Sequence, residues 1–210
     1  MSVWALASRM LFRTLGIVAI AIFTANLVSL ADTLSERDRS AGTSHLEKTR
    51  DAVLGAVKGL SAEQAKFKQA QERWSVAQVV EHLAVTESFL FDIISGQVMQ
   101  APPGDPKRNL AEMDQQVLTV IADRATRVNA SAEVSPSGKL TLQEATDQFR
   151  KSRERTLQFL RNTPDLRNHV MDSPIGPMDA YQWLLFISAH TDRHLKQIEE
   201  VKADARFPAR

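Results

Sequence analysis

Beyond about residue 44, apolar side chains return every third or fourth position, the repeat of an amphipathic helix and not the strict alternation of a half-buried strand. Leu46, Val53 and Val57 share one side of a first helix predicted over residues 44–58, and Gly59 follows as a stop. The stretch SAEQAKFKQAQER is a connector with room for a short helix. A second helix announces itself in WSVAQVVEHLAVTESFLFDIISG. Ser75 and Gln78 form a capping box, Trp74 can staple onto Val79, and Val79, Leu83, Leu90 and Ile94 recur at helical spacing up to Gly96.

The prolines and glycine of QAPPGDPKR mark a loop, after which Met113, Val117, Val120 and Ile121 predict a helix over residues 110–127. NASAEVSPSGK breaks the pattern. Thr141 and Glu144 open a further helix that runs through Phe149 and Leu160 to about residue 162, and TPDLRNHVMDSPIGPM reads as a turn-rich connection. Asp179 and Gln182 cap the last helix. Its inner line is Trp183, Ile187, His190, His194, Ile198 and Val201, at spacings of four or three, which is the seam of a helical bundle. No internal repeat interrupts this order.

Composition supports an all-α fold, with Gly and Tyr scarce at 8 and 1 residues. The formal charge of +1 gives no reason to expect nucleic acid as a partner. With no cysteine, a disulfide framework, a thiolate metal site and a cysteine nucleophile are all excluded, so any metal must be held by nitrogen and oxygen.

The first 31 residues differ from the rest. Arg9 and Arg13 precede the apolar block LGIVAIAIFTANLVSLA, in which Ser29 and Ala31 stand like the small residues before a signal-peptidase cut. Residues 1–31 are therefore read as an export signal, which places the mature chain in the periplasm. The competing reading is an uncleaved membrane anchor through residues 15–31, the only membrane association expected. Residues 32–43 are expected to be a flexible lead-in, residues 44–203 the bundle and residues 204–210 a tail.

Two histidines in the last seam need a reason. His190 and His194, at i and i+4, project from one helix face with their ring nitrogens able to converge on one ion. Burying two unpaired imidazoles costs about 1 to 3 kcal/mol each, so something should compensate. A transition metal would bind both and would require a further ligand from a neighbouring helix. His82, on the flank of the second helix's apolar face, is the natural third.

RWSVAQVVEHL, followed by DAYQWLLFISAHTDRHLKQIEEV, resembles the DinB-like superfamily of metal-binding helical bundles. The resemblance extends over about residues 46–201 and implies a four-helix bundle with one histidine on the second helix and an HxxxH pair on the last. It implies a divalent transition metal (zinc, nickel, iron or manganese) on His82, His190 and His194; the Trp-Ser lead and Arg193, His194 and Gln197 also match. Characterised relatives include thiol S-transferases, so the resemblance implies a small-molecule substrate, with a low-molecular-weight thiol as one possibility, and a homodimer as a possible assembly. Three imidazoles leave the ion open to water or a thiolate, as in a catalytic site.

Other residues are assigned plainer roles. His169 is read as a solvated loop residue with a rim position as the alternative, and His45 as a surface residue. Glu81 and Asp192 are read as helix surface, with partnership to an imidazole N–H as the alternative. Glu87 and Gln182 are given no role. Trp74 and Trp183 are read as staple and core. Arg150, Arg153, Arg155 and Arg161 are read as the wet face of an amphipathic helix. Two function classes follow: a metal-dependent enzyme, either thiol S-transferase-like or a metal-assisted hydrolase, and a non-catalytic metal-binding or interaction bundle. A third reading keeps the histidines as structural core without metal.

Overall fold

Ser35, not a residue near position 44, starts the first helix. Its hydroxyl accepts from the Asp38 N–H, and α1 runs over Glu36–Val57. In the computed structural model, which describes residues 33–125 and 128–209, residues 36–43 thus belong to the bundle and correct the expected flexible lead-in. Polar residues begin α1 because Arg39 and Asp38 work there: the Arg39 guanidinium donates to the Leu160, Arg161 and Thr163 carbonyls, and the Asp38 carbonyl accepts from Tyr181 Oη. The export or anchor segment lies outside the described residues. No helix among the described residues is long and apolar enough to cross a membrane.

A short helix, α2, follows at Ala62–Lys66. The three expected capping boxes all form, at the starts of α3 (Val76–Gly96), α5 (Leu142–Asn162) and α6 (Ala180–Lys202). Between α3 and α5 lies α4, Leu110–Ala122, which ends earlier than its apolar spacing predicts because Asp123 turns extended. The turn-rich connection holds a β-hairpin, β1 (Val170–Ser173) on β2 (Gly176–Asp179). That corrects the all-α expectation in detail. Two four-residue strands are too short to show alternation, and prolines at 174 and 177 read as loop.

Helices α1, α3, α5 and α6 make the bundle, with α1 beside α5 and α6, α3 beside α5 and α6, and α4 laid on the outside of α6. The core divides into two apolar clusters. Leu46, Leu90, Leu157 and Leu184 belong to one; Val53, Val80, Phe149 and Ile198 belong to the other. Along α1 and α6 the chain meets the first cluster and then the second, and along α3 and α5 it meets them in reverse. Hence α1 and α6 are parallel, α3 and α5 are parallel, and α4 supplies the return path that a parallel α3–α5 pair requires.

Between the clusters sits a polar layer, one residue group per helix. Arg153 of α5 is fully buried and pairs with Glu87 of α3 through two bonds of 2.8 and 2.9 Å. Its remaining N–H groups reach the Leu46 carbonyl and Thr49 Oγ1 of α1, and Thr191 Oγ1 of α6. All five guanidinium donors are used. The wet-face reading thus fails at Arg153, while Arg150, Arg155 and Arg161 do lie at the surface.

Candidate metal centre

One turn of α3 and two turns of α6 face each other beside the polar layer, and they bring His82, His190 and His194 together. Their ligating nitrogens all lie within 4.8 Å of one another. Ring centroids are 4.5 Å apart for His82 and His194, 4.4 Å for His190 and His194, and 5.1 Å for His82 and His190. His82 and His194 are buried; His190 keeps a partly exposed face.

Hydrogen bonds decide which nitrogen is free. His82 Nδ1 lies 2.7 Å from the Val134 carbonyl, which only accepts, so Nδ1 carries the proton and Nε2 a lone pair. His194 Nδ1 donates likewise to Gln197 Oε1 at 2.8 Å. The two Nε2 atoms then face each other at 3.2 Å. Two lone pairs at that distance repel unless a cation lies between them, and imidazoles oriented through Nδ1 are the usual second-sphere arrangement of metal-binding histidines. The donor set fits a divalent transition metal of intermediate softness.

Electrostatics hold the cluster neutral. Burial, together with the neighbouring His82, pushes His194 down to about 3; burial and both partner histidines hold His190 well below its ordinary range; burial lowers His82 against the pull of the Val134 carbonyl. Folded values below unfolded ones mean that the unfolded chain takes up protons first. The stability these groups contribute is complete above about pH 6.5 and falls by about 1.4 kcal/mol per pH unit for each proton as acid is added. Chelator-treated protein should therefore unfold in less urea at about pH 5.5 than at about pH 7.5, by at least about 1 kcal/mol. Equal midpoints would show that the imidazoles are not kept neutral.

Aromatic rings surround the centre. Trp74 packs 4.7 Å from His82 and 6.4 Å from His194, so the residue read as a staple also forms a wall here. Phe186 stacks on His190 at 6.4 Å. From the end of α4, Arg124 forks onto Glu200 and donates to the Arg193 carbonyl, fastening α4 to α6 beside the histidines.

The other singled-out residues are placed elsewhere. His169 bonds at both nitrogens, to the Ala101 carbonyl and to Asp165, and corrects the expectation of a solvated loop residue. It tethers the connection before α6, whose Ala180 N–H it receives on its carbonyl, about 15 Å of helix from His190. His45 is half-buried and Asp192 partly exposed. Gln182 is buried in its capping box and also donates to Asp114. Trp183 is buried in the core, as read. Glu81 corrects its surface reading: it is buried and accepts from Ser137 and Gly138. Neither Val134 nor Ser137 carries any sequence signal toward the site. Gln197, three residues past His194, is singled out only by the resemblance.

A bundle with parallel first and last helices, carrying one histidine on its second long helix and an HxxxH pair on its last, defines a class of helical proteins built around one potential metal centre. The family model described as the DinB superfamily matches residues 45–198, and the chain belongs to that superfamily. An uncharacterised Bacillus subtilis protein, YuaE, is 26% identical over 151 residues, covering 70% of this chain and 88% of YuaE. The fold is also that of YfiT from Bacillus subtilis, described as "a probable metal-dependent hydrolase with an unusual four-helix bundle topology". The two share a TM-score of 0.51 and 15% identity, over 81% of this chain and 89% of the YfiT chain.

Proposed function

We propose that this protein is a metal-dependent hydrolase in which His82, His190 and His194 hold one divalent transition metal: zinc, nickel, iron or manganese. The observation that supports it is the convergence of three neutral imidazoles, two with their Nε2 lone pairs facing each other at 3.2 Å. No carboxylate joins the group among the described residues. Three ligands leave coordination positions open, which distinguishes a catalytic centre from a closed structural one. When bound, such an ion supplies Lewis acidity that lowers the pKa of water or of a thiol.

The chain's own groups do the rest. Val134 and Gln197 orient His82 and His194, Trp74 and Phe186 shield the imidazoles, and the partly exposed face of His190 marks the approach for a small-molecule substrate. The description of YfiT favours water as the nucleophile. A low-molecular-weight thiol is the alternative at the same position. We also read residues 1–31 as an export signal, on the strength of Arg9, Arg13 and the apolar block, so the substrate is one met in the periplasm.

The full chain, loaded with zinc, nickel, iron or manganese in turn, should turn over small esters, amides or other electrophiles with at least one metal. Turnover without added thiol supports hydrolysis, and turnover only with thiol moves the assignment to transfer. Tight binding of one metal equivalent with no turnover in either arm would leave a non-catalytic metal-binding bundle.

A further inference from the structure

Glu81 is 3% exposed, yet among the described residues no cation pairs with it; the groups that bond to it are N–H and O–H groups of a single loop. Ser137 N and Ser137 Oγ bond to Oε1 at 2.8 and 2.6 Å, and Gly138 N bonds to Oε2 at 3.0 Å. The adjacent residue, His82, holds the same loop three positions earlier through the Val134 carbonyl. Neighbouring helical residues point about 100° apart, so the pair grips residues 131–138 from two directions.

We infer that Glu81 is a positioning residue for the metal centre: by clamping residues 131–138 onto α3, it seats the Val134 carbonyl on His82 Nδ1 and commits Nε2 to the metal. The inference rests on the reading of the three histidines as a metal site. Its physical core is the alternative partner. Thr86 Oγ1 lies 3.2 Å from the same Nδ1, and a hydroxyl either donates or accepts, so it leaves the tautomer undecided. A carbonyl decides it. The loop is also shaped for close approach: Gly138 has φ of +71°, and a Cβ there would lie 2.9 Å from Gln78 Nε2 in the first turn of α3.

The test uses zinc on the full chain, with affinity read by competition against a chromophoric chelator and imidazole tautomers read by ¹⁵N NMR. Loss of a group that orients a metal ligand weakens metal binding roughly 10- to 100-fold, so Glu81→Ala should fall in that range and Glu81→Gln near its lower end. In the metal-free Glu81→Ala protein, His82 should lose its preference for the Nδ1–H form, while His194, held by Gln197, keeps its own. Should Glu81→Ala not fold, Glu81→Gln and Ser137→Ala carry the same readouts. Wild-type zinc affinity in folded Glu81 variants overturns the inference alone, as does a tautomer change shared equally by His194. Absence of zinc binding in the wild-type chain overturns the metal reading and this inference together.

Discussion

Arg153→Ala is expected to cost about 3–5 kcal/mol of stability, because it leaves the Glu87 carboxylate buried without its counter-charge. Against the 5–15 kcal/mol that ordinarily separates folded from unfolded domains, that loss is close to unfolding. Glu87→Ala should be similarly severe, since it strands a guanidinium that is fully buried. The double variant Arg153→Met/Glu87→Leu should recover most of the loss. Replacing both partners with apolar groups of similar volume is often neutral or stabilising. The double change leaves the former partners of Arg153 with bonds of their own: Thr49 Oγ1 donates to the His45 carbonyl and lies 3.2 Å from the Leu46 carbonyl, and Thr191 Oγ1 donates to the Ile187 carbonyl. Urea unfolding of the single and double variants measures the coupling, and a single variant costing under about 1 kcal/mol would remove the polar layer from the account of stability.

His194→Leu is expected to separate stability from metal binding. In the metal-free protein the change should be close to neutral or stabilising, since it removes an imidazole held in an apolar site opposite a second lone pair. With metal the order reverses. A ligand that binds only the folded chain stabilises it by about 2.7 kcal/mol when present at 100 times its dissociation constant. For a domain of this size that raises the wild-type melting temperature by roughly 5–10 °C. The leucine variant should show no such rise. A rise of equal size in both proteins would mean that the metal binds elsewhere, and a marked loss of stability in the metal-free variant would favour histidines retained for core structure.

Much of the fold was legible because its signals are local. Ser75 with Gln78, Thr141 with Glu144, and Asp179 with Gln182 each satisfy N–H groups within one turn, so four residues of sequence suffice to place a helix start. The start of α1 is not legible because its first turn faces polar partners far along the chain, among them the Leu160 carbonyl and Tyr181. The β-hairpin is not legible because its pairing, Val170 with Asp179 through Ser173 with Gly176, is too short for a periodic signal.

At the site the division is similar. His190 and His194 can be paired from spacing alone, His82 follows as the natural third from its place on the flank of the second helix's apolar face, and the resemblance joins all three in one ligand set. Arg153 stood in plain view four residues from both Phe149 and Leu157 on the buried face of α5, but a charged residue becomes interpretable there only when its partners on three other helices are known. Glu81 reads as surface because helix periodicity says where a side chain points, not what loop covers that direction.

The sequence by itself determined which segments are helical, how most of them begin, and that two histidines interrupt an apolar seam. Only the tertiary structure decided that α1 and α6 run parallel, that a buried Arg153–Glu87 pair joins all four helices, and that His82 meets the other two with its Nε2 free. The reason is range: caps and helical periodicity act within one or two turns, whereas the tautomer of His82 depends on a carbonyl 52 residues away.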